Sequence, residues 1–178
     1  MQSSSAKNIL AISGSLRAGS SNHPILNYLG KIAPAGTNYT IYDGLAQIPH
    51  FDPDLDNDNR AATITAFRKL IAAADGVIIC TPEYAFGVPG TLKNALDWTV
   101  SSGSLSEKPL ALITASTGGE NAHAALLLIL GALNAKVTKE TTLLISFIRS
   151  KMDGNGDITD DVTVERLTQM FNTFLALL

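Results

Sequence analysis

The chain is poor in several residue types that would direct a reading elsewhere. Its 178 residues contain one cysteine, Cys80. A lone thiol forms no internal disulfide, which fits a reducing compartment. Charged residues make up only 16% and the net charge is -3. With no block of Lys or Arg, nothing invites a phosphodiester backbone or an anionic membrane surface, so neither nucleic acid nor membrane is expected as a partner. The three histidines, at 23, 50 and 123, show no close pairing that would support a zinc site. The longest apolar stretch, Ala122 to Leu133, is shorter than the ~20 residues a membrane span needs. Met1 to Lys7 is short and polar, without the apolar segment of a secretory signal. The chain also lacks G-x-G-x-x-G and a Gly-Lys-Ser/Thr loop ending, which disfavours a dinucleotide held across its pyrophosphate and a nucleotide hydrolase. A cytoplasmic protein is the expectation.

What is present is apolar and periodic. The apolar fraction is 46%, enough for a well-filled core in a chain of this length. Asn8 to Ile12 reads as a first strand, Tyr39 to Tyr42 as a second, Val77 to Cys80 as a third and Leu110 to Thr114 as a fourth. A fifth lies within Val137 to Ile148 and is drawn as a bent strand. Between them, helical spacing marks a segment opening near Pro24 with Ser21 or Asn22 as cap, Ala61 to Ala74, a helix reaching about Val100, an apolar helix to Leu133, and a terminal helix from about Asp161. Ile48 to Asn59 is expected to be a long loop. Strands alternating with helices imply a doubly wound parallel sheet, since each right-handed crossover lays its helix on one face. Five strands favour the flavodoxin-like order 2-1-3-4-5, whose switch point falls between strands one and three. No repeat or linker divides residues 1–178, which are expected to form one domain with residues 1–6 flexible.

The two loops richest in Gly, Ser and Pro follow those two strands. Ser13 to Asn22 opens a helix, and helix N-termini bind phosphate through unpaired N–H groups and a partial positive charge. Ser13, Ser15, Ser20 and Asn22 add side-chain donors, Arg17 suits a doubly charged phosphate, and Gly14 and Gly19 let the backbone come close. Capping alone would need one or two such residues. Thr81 to Trp98 follows the third strand as an irregular loop and then a helix, at the end of the sheet where open α/β folds hold their ligands.

Together these loops resemble the NADPH-dependent FMN reductase family, which includes chromate, quinone and azo-dye reductases. Gly14-Ser15-Leu16-Arg17-Ala18-Gly19-Ser20-Ser21-Asn22 matches the family's G-S-L-R-x-x-S-x-N loop. Pro82-Glu83-Tyr84 with Pro89 to Trp98 matches its P-E-Y-N-x-x-x-P-G-x-L-K-N-A-I-D-W signature, with Ala85 in place of the asparagine. The resemblance covers nearly the whole chain. It implies FMN as cofactor, NADPH or NADH as co-substrate, and a small acceptor such as a quinone, azo compound, metal oxyanion or free flavin. It also implies a homodimer or homotetramer. The cofactor-binding set it implies is Ser13, Ser15, Leu16, Arg17, Ser20, Ser21 and Asn22 around the phosphate, Pro82, Glu83, Tyr84 and Ala85 along the ring, and Ser116, Thr117 and Gly118 at its other edge. The arginine that usually follows the paired glycines of that last loop is missing here. No catalytic side chain and no metal are implied, because the flavin carries the chemistry. A flavodoxin-type electron carrier is the alternative, disfavoured by the low charge. A phosphate-ligand sensor without flavin is a third reading.

Other residues read more plainly. Cys80 is a small core residue, and Asp97 and Trp98 pack on their helix or at an interface. Tyr84 stacks on flavin or on a second subunit, and His123 reads as a surface or structural histidine. Asp52, Asp54, Asp56 and Asp58 read as a solvated acidic loop. Asp153, Asn155 and Asp157 imitate a calcium loop, but Ile158 and Val164 occupy its glycine and glutamate positions.

Overall fold

Apolar strands covered on both faces set the architecture. The computed structural model describes residues 6–178, so the expected flexibility of residues 1–6 lies, except at Ala6, outside the described residues. Five strands, β1 (Asn8–Ser13), β2 (Asn38–Tyr42), β3 (Gly76–Thr81), β4 (Leu110–Ala115) and β5 (Thr142–Ile145), form one sheet in the order β2-β1-β3-β4-β5. All four pairings are parallel. In register, Ala11 lies between Ile41 and Ile78, and Ile79 pairs with Leu112. The two central strands β3 and β4 are buried along their whole length, as expected of strands covered on both faces.

The five helices are α1 (Asn22–Ile32), α2 (Ala62–Ala73), α3 (Gly90–Asp97), α4 (Glu120–Ala132) and α5 (Asp161–Leu175). Successive strand side chains point to opposite faces. Ile9, Ala11, Ile78, Cys80, Ala111 and Ile113 pack against Ile25, Leu26 and Leu29 of α1 and Leu167, Phe171 and Phe174 of α5. Leu10, Ile12, Val77, Ile79, Leu110 and Leu112 pack against Ile64, Phe67 and Ile71 of α2, Leu92 and Leu96 of α3, and Leu126 and Leu130 of α4. Cys80 is fully buried, and burial pushes its thiol pKa up, so it is an inert core residue.

Four local expectations change. Ser21 is the N-cap residue of α1 as expected, but its side chain makes no capping bond; the Ser20 hydroxyl oxygen instead accepts from the Asn22 N–H at 3.3 Å. The fifth strand occupies only Thr142–Ile145 of Val137 to Ile148. It is a short run entered from a single 3₁₀ turn, Lys139–Thr141, capped reciprocally by Thr138 and Thr141. The helix α3 stops at Asp97, short of Val100.

The fourth change concerns the acidic loop, of which one member is not solvated. The side chain of Asp56 is 7% exposed and accepts from Arg68 Nη2 at 2.8 and 2.9 Å, from Ser101 Oγ at 2.5 Å and from Arg60 Nε at 3.3 Å. Arg68 also donates from Nε to the Trp98 carbonyl at 2.6 Å. These bonds, led by the Arg68 hydrogen bond, hold the Asp56 carboxyl at a pKa of about 2. The same region is fastened by α3. Asn94 Oδ1 accepts from the Phe51 N–H at 2.7 Å, and Trp98 Nε1 donates to the Pro49 carbonyl at 2.8 Å. The Phe51 and Trp98 rings meet edge to face at 5.0 Å. Asn94 and Trp98 thus tie the long loop to the helix that follows β3.

Candidate functional site

The switch point of the sheet lies between β1 and β3, and both strands deliver their loops to the same end. Gly14 leaves β1 with its N–H bonded to the Cys80 carbonyl at 2.8 Å. A Cβ there would sit 2.4 Å from Thr81 Oγ1 and 2.9 Å from Leu92 Cδ2, so only glycine allows the two strand ends to come this close. Beyond it, the loop folds on its own side chains. Ser13 Oγ donates to the Ser15 carbonyl at 3.2 Å, Ser15 Oγ accepts from the Arg17 N–H at 3.3 Å, and the Ser20 N–H donates to the Arg17 carbonyl at 3.0 Å. These local turns use serines in the way that makes them frequent in loops.

The loop after β3 reverses in a two-residue turn. Tyr84 and Gly87 exchange backbone hydrogen bonds at 3.0 and 2.9 Å, and the two residues between them, Ala85 and Phe86, have φ of 48° and 58°. A turn with two positive φ values is the type I′ hairpin turn, which favours Asn and Gly. Alanine and phenylalanine hold it under strain, and strain of this sort concentrates at functional loops. Tyr84 reaches back across the site, its hydroxyl 2.9 Å from Ser15 Oγ. It therefore bridges the first and third loops instead of standing free.

Glu83 has a role that spacing did not reveal. Its Oε2 accepts the Ala122 N–H at 2.8 Å, so a residue of the β3 loop caps the N-terminus of α4. The loop after β4 reaches that helix through Gly119, whose φ is 118° and whose Cβ, if present, would lie 2.9 Å from Leu144 Cδ1. One turn into α4, His123 Nδ1 lies 2.9 Å from the Thr114 hydroxyl. Desolvation lowers the pKa of this imidazole and favours its neutral form. It is a half-buried packing residue, as its apolar helix suggests.

Between these loops lies a cavity of about 260 Å³. Of the residues expected at the cofactor, Arg17, Ser20, Ser21, Asn22, Pro82, Glu83, Tyr84, Ser116 and Thr117 line it. Ser13, Ser15, Leu16, Ala85 and Gly118 are not among its walls. Ser13 and Ser15 are buried inside the loop, and Leu16 is exposed. Ala115, Ile148 and Arg149 also line the cavity. Arg149 had no motif to announce it. The loop after β5 brings it in, tied to the loop after β4 by bonds from the Phe147 and Ile148 N–H groups to the Thr117 and Ser116 carbonyls at 3.1 and 3.2 Å.

The electrostatics of this cavity are uneven. Asn22 is 1% exposed, and its Nδ2 is, among the described residues, the one buried side-chain nitrogen or oxygen without a hydrogen-bond partner. An amide left so usually costs about 1–3 kcal/mol. The α1 N-terminus beside it carries no side-chain cap. Among the described residues the Arg17 guanidinium donates only to the carbonyl of Gly19, two residues away, at 2.9 Å. Buried unpaired N–H, an open helix N-terminus and a guanidinium on one wall are a donor set for an oxyanion, and they fit a phosphate monoester. Among the described residues no group of three or more His, Cys, Asp or Glu could hold a metal.

Comparison with known proteins agrees with this geometry. The family model for NADPH-dependent FMN reductase matches residues 7–149. A quinone reductase of Escherichia coli (strain K12) is 36% identical over 173 residues, covering 93% of this chain and 92% of its own. A 2-hydroxy-1,4-benzoquinone reductase of a Burkholderia species is 32% identical over 177 residues, with 96% of each chain covered. The fold of FerB, a flavoenzyme NAD(P)H:(acceptor) oxidoreductase from Paracoccus denitrificans, superposes with a TM-score of 0.77 at 26% identity over 97% of both chains.

Proposed function

The chain belongs to the NADPH-dependent FMN reductase family, and from that premise we propose that the cavity walled by the loops after β1, β3, β4 and β5 seats the FMN. The protein is an NAD(P)H-dependent FMN oxidoreductase with a flavodoxin-like fold. When bound, FMN supplies the redox chemistry, taking a hydride from the reduced nicotinamide and passing electrons on to the acceptor. The rest is the work of side chains and backbone. Asn22 Nδ2 donates to the phosphate, joined by the Ser20 and Ser21 hydroxyls, the Arg17 guanidinium and the open N-terminus of α1. Ser13 and Ser15 act one step back, holding the loop in shape, and Leu16 shields its outer side. Pro82, Glu83 and Tyr84 line the ring, with Glu83 fixing their position against α4, while Ser116 and Thr117 border the opposite edge; Ala85 and Gly118 stand one step back and shape those two loops.

No side chain is assigned as acid or base. Glu83, the one carboxylate on the wall, is engaged with the Ala122 N–H. The observation that carries the reading is the unpartnered buried amide of Asn22 facing a cavity also walled by Arg17.

The acceptor we propose is a small oxidised molecule of quinone type, as in the relatives named for quinones; azo compounds, metal oxyanions and free flavin are other members of that class. We also propose that residues 1–178 act as one domain and assemble as a homodimer or homotetramer. Exposed Tyr84, Phe86 and Phe147, at 49%, 81% and 65%, stand on loops of the cavity end and would be covered in it. Among the described residues no helix is long and apolar enough to cross a membrane, and the lone buried thiol suits the cytoplasm.

The test is anaerobic stopped-flow mixing of the FMN-loaded protein with NADPH and with NADH, then with a benzoquinone. Bleaching at an enzymatic rate by at least one nucleotide, and reoxidation by the quinone, are expected. A flavin that neither nucleotide bleaches would leave an electron carrier, and light scattering that gives a monomer would remove the assembly.

A further inference from the structure

The geometry points to Arg149 as a second anion anchor of the cofactor site: a guanidinium delivered from outside the serine-rich loop that, together with Arg17, holds the FMN phosphate. This rests on the FMN reading of the cavity.

Four observations carry it. The first is how the residue is presented. After β5 the chain turns at Phe147, whose φ of 55° is a left-handed conformation that a bulky residue adopts at a cost. The turn sinks Ile148 into the core at 3% exposure and brings Arg149 out onto the cavity wall. The bonds from Phe147 and Ile148 to the loop after β4 hold that turn in place.

The second is that this guanidinium is free. Among the described residues it makes no ion pair and donates no hydrogen bond. Lys151, two residues on, pairs instead with Asp160 at 3.3 Å.

The third is charge. The cavity has two guanidiniums and an unpartnered amide on its wall, against the one carboxylate of Glu83, already bonded to the Ala122 N–H. In a chain of net charge -3 this is a local excess of positive groups. A phosphate monoester carries close to two negative charges near neutral pH and accepts several charge-assisted bonds. It is the part of FMN that balances such a wall, whereas the ring and ribityl chain offer no comparable charge.

The fourth locates Arg149 at the phosphate end. A second cavity, of about 460 Å³, shares Ser20, Ser21 and Arg149 with the first, while Pro82, Glu83 and Tyr84 border only the first. Arg149 therefore stands on the partition beside the serine loop, away from the residues proposed to line the ring.

The test is a flavin-fluorescence titration of apo-protein with FMN and with riboflavin, which lacks the phosphate, for wild type, Arg149→Gln and Arg149→Lys. Removing one charge-assisted contact predicts that Arg149→Gln weakens FMN about tenfold or more and riboflavin less than twofold. The FMN affinity of the glutamine variant becomes less dependent on salt, and the lysine variant recovers part of the loss. The apo-protein melting temperature stays at the wild-type value, since the side chain has, among the described residues, no hydrogen bond or ion pair to lose. FMN affinity unchanged in Arg149→Gln, or equal loss for both flavins, overturns the assignment. So does a rise confined to the KM for NADPH or NADH, which would hand this guanidinium to the nicotinamide nucleotide. If wild-type protein binds neither flavin, the reading of the cavity itself fails, an outcome visible before any variant is made.

Discussion

The loop around Asp56 and the loop from Gly14 to Ser21 both bring polar groups to poorly exposed positions, and they dispose of them differently. At Asp56 the polar atoms are partnered within the protein. The carboxylate meets Arg68, Ser101 and Arg60, and Arg68 uses its remaining reach on the Trp98 carbonyl. At the first loop the serines settle the backbone, yet the Asn22 amide has no partner and Arg17 has only its own loop. A network that closes on itself supports the fold. One that closes except for its strongest donors is shaped around something that arrives later, and the energy withheld from the apo-fold is returned on binding.

The largest expected effect would break the closed side of this contrast. Arg68→Ala leaves a poorly exposed carboxylate without its main partner and should cost about 3 kcal/mol in urea unfolding. FMN affinity, measured on the fraction that folds, should stay within about twofold of wild type. A large loss of FMN affinity with little loss of stability would place the Asp56 network in the binding machinery and erase the distinction. Asn22→Ala is the reciprocal change. It removes an unsatisfied amide, so the apo-protein should unfold at the same or a higher denaturant concentration, by up to about 1 kcal/mol. FMN binding should weaken about tenfold, read by fluorescence. Destabilised apo-protein with intact FMN affinity would mean that Asn22 serves the fold.

Acid sharpens the comparison further. The Asp56 carboxyl is held at about 2 in the folded protein, below the ~3.9 of an unfolded aspartate. A depressed pKa stabilises the fold fully above the unfolded value, and that contribution is lost as pH falls from about 4 towards 2. Asp56→Asn should therefore flatten the fall in stability over that window while leaving FMN binding at neutral pH unchanged. A parallel fall in both proteins would mean that other carboxylates govern the acid limb. The smallest effect is expected in the strained turn. Ala85 has a φ of 48°, a region that asparagine tolerates better than alanine. Ala85→Asn should raise the melting temperature by the equivalent of about 0.5 kcal/mol. A decrease would show that the turn does not bear that strain in solution.

The fold was legible in the sequence because its signals are local. Short apolar runs bounded by turn residues, such as Val77 to Cys80, read as covered strands, and serine, glycine and proline clusters after β1 and β3 mark the switch point. The donors of the first loop were legible for the same reason, each lying within a few residues of the helix it opens. What escaped depends on residues far apart in the chain. Asp56 looked solvated because its partner, Arg68, is twelve residues away on a helix. Glu83 was read as lining the ring, and its bond to Ala122 crosses 39 residues of sequence. Arg149 carries no motif, and the crossover from β5 to α5 alone takes it to the serine loop. The cap position was legible, since Ser21 is the N-cap residue, but its side chain makes no capping bond: the Ser20 hydroxyl takes the Asn22 N–H, and Pro24 in the first turn has none to offer.

The central claim is that the donors left open at the end of β1 are there for a phosphate carried by a flavin. Calorimetric titration of wild-type apo-protein with FMN, and separately with riboflavin, tests it most directly. FMN binding about a hundredfold tighter than riboflavin is the predicted result, on the order of 3 kcal/mol from the phosphate contacts. Equal affinity for the two flavins would contradict it, because the Asn22 amide and the Arg17 guanidinium would then have no phosphate to hold.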